Sequence, residues 1–129
     1  MFIKIRNKYF KYINKKLKEK LKEINPDHVN IGVNGNITTC EIYKDGGVAI
    51  GLAICSTLDI FDVRIGVNKA VGRAIRAYVT KHHSGRIRKS YDAFPKTWTL
   101  EQARNVLKVD SFFKSRFFNY IPKGRIPPA

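Results

Sequence analysis

The amino-acid sequence predicts an α+β fold: a two-layer α-β-β-β-α sandwich, an antiparallel meander with helices on one face, plus short C-terminal helices. Three observations predict it. Apolar residues recur at three- and four-residue spacing on either side of a central stretch. Within that stretch apolar residues recur in short strand-like runs. Two glycine-containing turns, Asn34-Gly35 and Asp45-Gly46-Gly47, cut it into three strands. The 129 residues fit one domain, residues 1–121, with a core over 8–82, a helical extension over 91–121 and a tail over 122–129. The hydrophobic content of 43% is enough for a core.

The first helix is predicted over Lys8–Ile24. Phe10, Ile13, Leu17, Leu21 and Ile24 form its apolar stripe, and Asn25-Pro26 ends it. Lys11, Lys15, Lys18 and Lys22 fall on another face. That face suits water, phosphates or, less well, a membrane surface, because the core requires the apolar stripe. Val29, Ile31 and Val33 mark the first strand, Ile37–Tyr43 the second and Val48–Cys55 the third. The third strand has a bulky face (Val48, Ile50, Leu52, Ile54) and a small one (Ala49, Gly51, Ala53, Cys55). The small face admits a closely packed helix.

The second helix is predicted over Phe61–Lys81, its buried arc made of Val63, Val67, Ala70, Val71, Ala74, Ile75 and Tyr78. Lys69, Arg73, Arg76 and Thr80 stand opposite. Asp59 and Asp62 suit the amino end, where they cap and complement the helix dipole. Gly66 and Gly72 each cost about 1 kcal/mol relative to alanine, which suggests the close approach of a phosphate backbone or a neighbouring helix. Lys81–Ser90 reads as a basic loop, solvated or clamping phosphate. Tyr91, Phe94 and Trp98 pack or stack. Thr99–Gln102 is a capping box for a helix reaching about Val109, and Asp110 caps another carrying Phe112, Phe113, Phe117 and Phe118. Pro122–Ala129 reads as a basic arm.

Charge is the strongest functional signal. The chain has 25 Lys+Arg, 10 Asp+Glu and a formal net charge of +15. Residues 1–24 carry nine cations and two anions, and residues 64–90 carry eight cations and no acid. The strands between, residues 25–63, carry one cation and five anions. So large and segregated a field attracts a polyanion, and nucleic acid is the first partner to expect. Lysines interrupt every apolar run of the first 24 residues, which excludes a secretory signal there. No apolar run approaches the roughly 20 residues that span a bilayer.

Chemistry has little support. Cys40 falls opposite about position 50 or 51, not Cys55, so both cysteines are read as reduced core thiols of a cytosolic protein, with a disulfide as the lesser alternative. His28, His82 and His83 make no zinc spacing. Cys55-Ser56 before Asp59 invites a nucleophile reading, but a buried thiol, a turn and a cap explain it better. Asp59, Asp62 and Glu41 offer a divalent-metal site for phosphodiester cleavage, although nothing in their spacing forces one. No phosphate-loop lysine or dinucleotide fingerprint occurs, and no cofactor is expected.

In element order residues 8–82 resemble a double-stranded-RNA-binding domain. In that family the first helix and the β1–β2 loop touch minor grooves, and basic residues opening the second helix touch phosphates. Here the loop is Asn34-Gly35-Asn36, without the family's Gly-Pro-x-His. Its Lys-Lys-x-Ala-Lys cluster is replaced by Arg64, Lys69, Arg73 and Arg76. The resemblance therefore implies topology and not RNA preference. The pattern Gly51, Ala53, Cys55, Ser56, Asp59, Phe61, Gly66, Ala70, Gly72, Arg73, Ala74 also resembles small uncharacterised bacteriophage proteins, which implies a viral origin in a host cytoplasm.

The leading expectation is a non-enzymatic protein that binds DNA or RNA through its phosphates with low sequence specificity. It uses Lys11, Lys15, Lys18, Lys22, Lys69, Arg73, Arg76, Arg86, Arg88 and Lys89. The alternative is an inhibitor or adaptor docking on an acidic surface of a host polymerase, nuclease or defence protein. It would be anchored by Phe113, Arg116 and Phe117 of an aromatic C-terminal helix, which also offers a homodimer patch.

Overall fold

The computed structural model describes residues 8–35, 37–55, 60–83 and 117–124. A 3-10 turn, Phe10–Tyr12, leads to α1, Lys15–Ile24. Then come β1, His28–Asn34, β2, Ile37–Lys44, and β3, Gly47–Ile54. After them lie α2, Val63–Thr80, and β4, Phe118–Ile121. The four strands form one antiparallel sheet in the order β1-β2-β3-β4. No helix among the described residues is long and apolar enough to cross a membrane.

The turns set the register. Asp45 and Gly46 lie at φ 53° and 79°, both left-handed, as a two-residue turn between right-twisted strands requires. Lys44 therefore pairs with Gly47, and Cys40 with Gly51. At the other turn Asn34 pairs with Ile37, so the reversal falls one residue later than Asn34-Gly35. Cys40 and Cys55 are thiols that no disulfide joins. Burial pushes the Cys40 thiol well above its ordinary range, with Glu41 adding to the shift.

Pairing also sorts the two sheet faces. Val29, Ile31, Cys40, Ile42, Ala49 and Ala53 share one core cluster with Ile13, Leu21 of α1 and Val67, Ala70, Val71 and Ala74 of α2. Gly51 is the point of closest approach: a Cβ there would collide with the Ala70 carbonyl oxygen and the Ala74 amide nitrogen. Gly66 meets the sheet as well, since a Cβ on it would lie 2.6 Å from Thr38 Oγ1 of β2. Gly72 faces away from the sheet, where among the described residues a Cβ would meet only Leu17 Cδ2, at 4.0 Å. On the opposite sheet face Val48, Ile50 and Ile121 are buried together beside Tyr43. Burial on both sides explains why β3 reads as an almost unbroken apolar run.

Several sequence expectations are corrected. The first helix does not run from Lys8. Asn14 adopts extended backbone (ψ 163°) and its side chain accepts from the Leu17 amide at 2.9 Å, so it caps a helix starting at Lys15. An apolar stripe continuing across Phe10 and Ile13 hides such a break, because a 3-10 turn presents similar spacing. The second helix starts at Val63, capped by the Asp62 carboxylate on the Arg64 and Ile65 amides at 2.9 and 3.4 Å. Phe117 and Phe118 are not helical: Phe118 opens β4, and the Leu52 amide donates to the Phe117 carbonyl at 2.7 Å. Strand pairing with β3 outweighed a local aromatic pattern that fits either structure. Lys123 lies against the β2–β3 turn, since a Cβ on Gly46 would lie 2.8 Å from its side-chain carbons. The helices expected over 99–109 and from Asp110, the packing of Tyr91, Phe94 and Trp98, and most of the Lys81–Ser90 loop lie outside the described residues.

Candidate functional site

Asn68 of α2 organises the amino-terminal surface. Its Oδ1 accepts from the Asn14 amide at 2.9 Å, and its Nδ2 donates to the Tyr12 and Arg64 carbonyls at 3.0 and 2.8 Å. One amide side chain thus ties the 3-10 turn, the α1 cap and the first turns of α2 together. Asn68→Ala removes all three bonds and is expected to cost about 2 kcal/mol, read as a shift of the urea midpoint without a change in slope.

This tie brings together a ring of cations on aromatic faces. Lys8 Nζ lies 5.2 Å from the Tyr9 ring centre and Lys11 Nζ 5.3 Å from that of Tyr12. The Arg64 guanidinium carbon lies 5.8 Å from the same Tyr12 ring, and Lys18 Nζ 5.3 Å from that of Phe10. Each distance is within the roughly 6 Å at which a ring quadrupole holds a cation. Lys15 and Lys22 are exposed and follow Lys18 along one edge of α1. Glu19 and Glu23 share the outward arc of that helix, flanked on the far side by Lys16 and Lys20. The expected stripe Lys11, Lys15, Lys18, Lys22 is therefore not one helical face. Lys11 stands on the 3-10 turn and Lys15, Lys18 and Lys22 on α1, with Lys11 and Lys18 lying against rings of the aromatic cluster.

A second group lies where α2 meets β4. Arg73 Nη1 donates to the Leu52 carbonyl at 2.7 Å, and its guanidinium carbon stands 4.4 Å from the Phe117 ring centre. Half-buried there, Arg73 has its pKa lowered by desolvation. Its guanidinium is thereby tied to β3 and to the residue before β4. Phe117, which lies under Arg73, stands just before β4 and not on a helix. Arg76 is exposed, with its guanidinium carbon 5.6 Å from the Phe118 ring centre. Lys81 Nζ sits 3.3 Å from the Tyr78 ring centre and 4.4 Å from that of Tyr120, whose planes meet at 75°. Desolvation lowers the Lys81 pKa against the opposing pull of Asp45, and it raises that of Tyr120 with help from Tyr78 and Asp45.

Of the proposed metal trio, Glu41 and Asp62 are not brought together. Glu41 accepts from Asn30 Nδ2 at 3.0 Å and from the Tyr43 hydroxyl at 2.9 Å, on the sheet face away from α2. Asp62 is occupied as a cap, and Asp59 lies outside the described residues. No group of three metal-ligating side chains occurs among the described residues. Lys69 is exposed on α2. Arg86, Arg88, Lys89, Phe113 and Arg116 lie outside the described residues. Sequence reasoning missed Lys8, Tyr9, Tyr12 and Asn68. The alternation Lys8-Tyr9-Phe10-Lys11-Tyr12 was the available signal, a basic and aromatic interleaving that a helical wheel disperses.

Comparison with known proteins finds no matching family model, no matching curated protein and no matching solved structure. What fold and site define is a class: an α+β protein with a four-stranded antiparallel sheet and a basic, aromatic-backed surface at its amino-terminal end.

Proposed function

We propose that this chain is a non-enzymatic nucleic-acid-binding protein that holds the phosphate backbone with low sequence specificity. The observation that carries the reading is the cation cluster of Lys8, Lys11, Lys18 and Arg64 on Tyr9, Phe10 and Tyr12. Rings beneath the cations limit the conformations that binding must freeze out, and leave the N–H donors for an anion. Lys15 and Lys22 extend the surface along α1, and the overall +15 charge supplies the long-range attraction. Lysines dominate, and a lysine is a point charge for phosphate rather than a fork for a base edge. The same reading takes the described elements as a two-layer unit in which both helices cover the sheet face of Ala49 and Ala53, leaving the amino-terminal cluster at one end of the helical layer.

The test is fluorescence anisotropy with single- and double-stranded DNA and RNA of matched length, over a salt series. The expected result is a Kd at or below about a micromolar at physiological salt for the best ligand, with log affinity falling steeply against log salt. Changing Lys8, Lys11, Lys18 and Arg64 together to Gln is expected to flatten the slope by up to about 3 to 4 on duplex DNA, since each phosphate contact contributes about 0.9. Weak binding to all four ligands, lost by physiological salt, would sink the reading.

A further inference from the structure

The exposed apolar side chains on the outer face of α2 are left unexplained by nucleic-acid binding. Ile65, Lys69, Gly72, Arg76 and Val79 follow one another at spacings of four, three, four and three. That is the spacing of a seam one helix presents to another. Ile65 is 55% exposed and Val79 68%, and Phe61, one turn before Ile65, is 37% exposed. With the adjacent Ile60 these are the exposed large apolar side chains among the described residues. A phosphate backbone has no use for them, whereas apolar side chains spaced at helical intervals along a charged seam suit a partner helix.

Gly72 sits in the middle of the seam. The sheet requires Gly51 and Gly66, but among the described residues Gly72 has room for a side chain, with only Leu17 within 4.0 Å of the added carbon. A mid-helix glycine costs about 1 kcal/mol relative to alanine. Here the described structure gains nothing from it, and what it provides is a notch between Lys69 and Arg76.

We propose that this face docks an acidic amphipathic helix of another protein, with apolar side chains at both ends of a seam about 21 Å long (at 1.5 Å per residue) and carboxylates at its centre. Charge complementarity selects this occupant. Ile65 and Val79 take the apolar ends, Lys69 and Arg76 take the carboxylates, and the notch at Gly72 lets the helices approach closely. A second copy fits poorly. Antiparallel apposition about Gly72 sets the Lys69 of each copy against the Arg76 of the other, between chains that each carry +15. The proposal does not depend on nucleic-acid binding.

The test uses the full chain and a labelled synthetic helical peptide with Leu at the two end positions and Glu at the two central positions of the same seam. A peptide of the same composition in scrambled order is the control. The expected result is binding at least about tenfold tighter than the scrambled peptide, weakened about tenfold or more by Ile65→Ser with Val79→Ser, with oligonucleotide affinity unchanged. Both replaced side chains are exposed, so the variant folds. Lys69→Glu with Arg76→Glu is expected to abolish binding of the Glu peptide and transfer it to a peptide with Lys at the central positions. Equal binding of the scrambled peptide, indifference to the Ile65 and Val79 changes, or full displacement by an oligonucleotide would each overturn the proposal. So would a dimer in analytical ultracentrifugation that the Ile65 and Val79 changes dissolve.

Discussion

Gly51→Ala is expected to destabilise the protein by about 3 kcal/mol or more, while Gly72→Ala stabilises it by up to about 1 kcal/mol. The same added methyl group meets opposite surroundings. At Gly51 it points at the α2 backbone, against the Ala70 carbonyl oxygen and the Ala74 amide. Neither atom moves by a rotamer change, so the whole helix must lift from β3. Ala70, Val71 and Ala74 are buried beneath it and would lose contact together. At Gly72 the methyl reaches ordinary contact with Leu17, removes backbone entropy from the unfolded chain and opposes nothing. Thermal unfolding followed by circular dichroism decides the matter. Gly51→Ala should lower Tm by roughly 10 °C or more, and Gly72→Ala should raise it by a few degrees. A Gly51→Ala variant with unchanged Tm would show that α2 does not rest on this strand as described.

The sheet was legible because its signals are local. Asp45-Gly46 sets the φ values of its own turn, and Cys40 falls opposite Gly51 as counting from that turn requires. The small face of β3 was readable for the same reason: Ala49, Gly51 and Ala53 alternate with bulky residues, and a helix fits only on the small side. β4 was not legible. A strand of four residues, Phe118–Ile121, pairs with β3 across more than sixty residues of sequence, and no local pattern records that partner. The break before α1 was missed for a related reason. Asn14 caps the helix, but its position is held by Asn68, fifty-four residues away.

The candidate site was half legible. Charge segregation pointed to residues 1–24 as a cationic segment, and Lys11, Lys15, Lys18 and Lys22 lie within it. Which cations are available to a ligand is a tertiary question. Arg73 and Arg76 are indistinguishable on a helical wheel, three residues apart in one basic stripe. Arg73 lies over Phe117 and donates to Leu52, whereas Arg76 remains exposed. The difference depends on the chain arriving at β4.

Arg73→Met should therefore act on stability and not on ligand affinity. The methionine keeps the apolar stem that packs beside Phe117 but removes the charged donor to the Leu52 carbonyl and the cation over the ring. A charged hydrogen bond of this kind contributes about 1.5–3 kcal/mol and the ring contact up to about 2 kcal/mol, with the methionine recovering part of the latter through packing. The net expectation is a loss of about 2 kcal/mol, or roughly 5–10 °C in Tm. Desolvation of the guanidinium works the other way, and relief of that cost keeps the loss from being larger. In the anisotropy assay, at a temperature where the variant is folded, affinity for the best oligonucleotide and the slope of log affinity against log salt should both match the unmodified protein within about 0.5 in slope. Arg64→Met, by contrast, should leave Tm within a degree or two and reduce the slope by about 1, because Arg64 is exposed and stands over Tyr12 in the amino-terminal cluster. If Arg73→Met lowers the salt slope while Tm holds, the guanidinium is reaching phosphate. The basic surface would then extend along α2 to β4 instead of ending at the amino-terminal cluster.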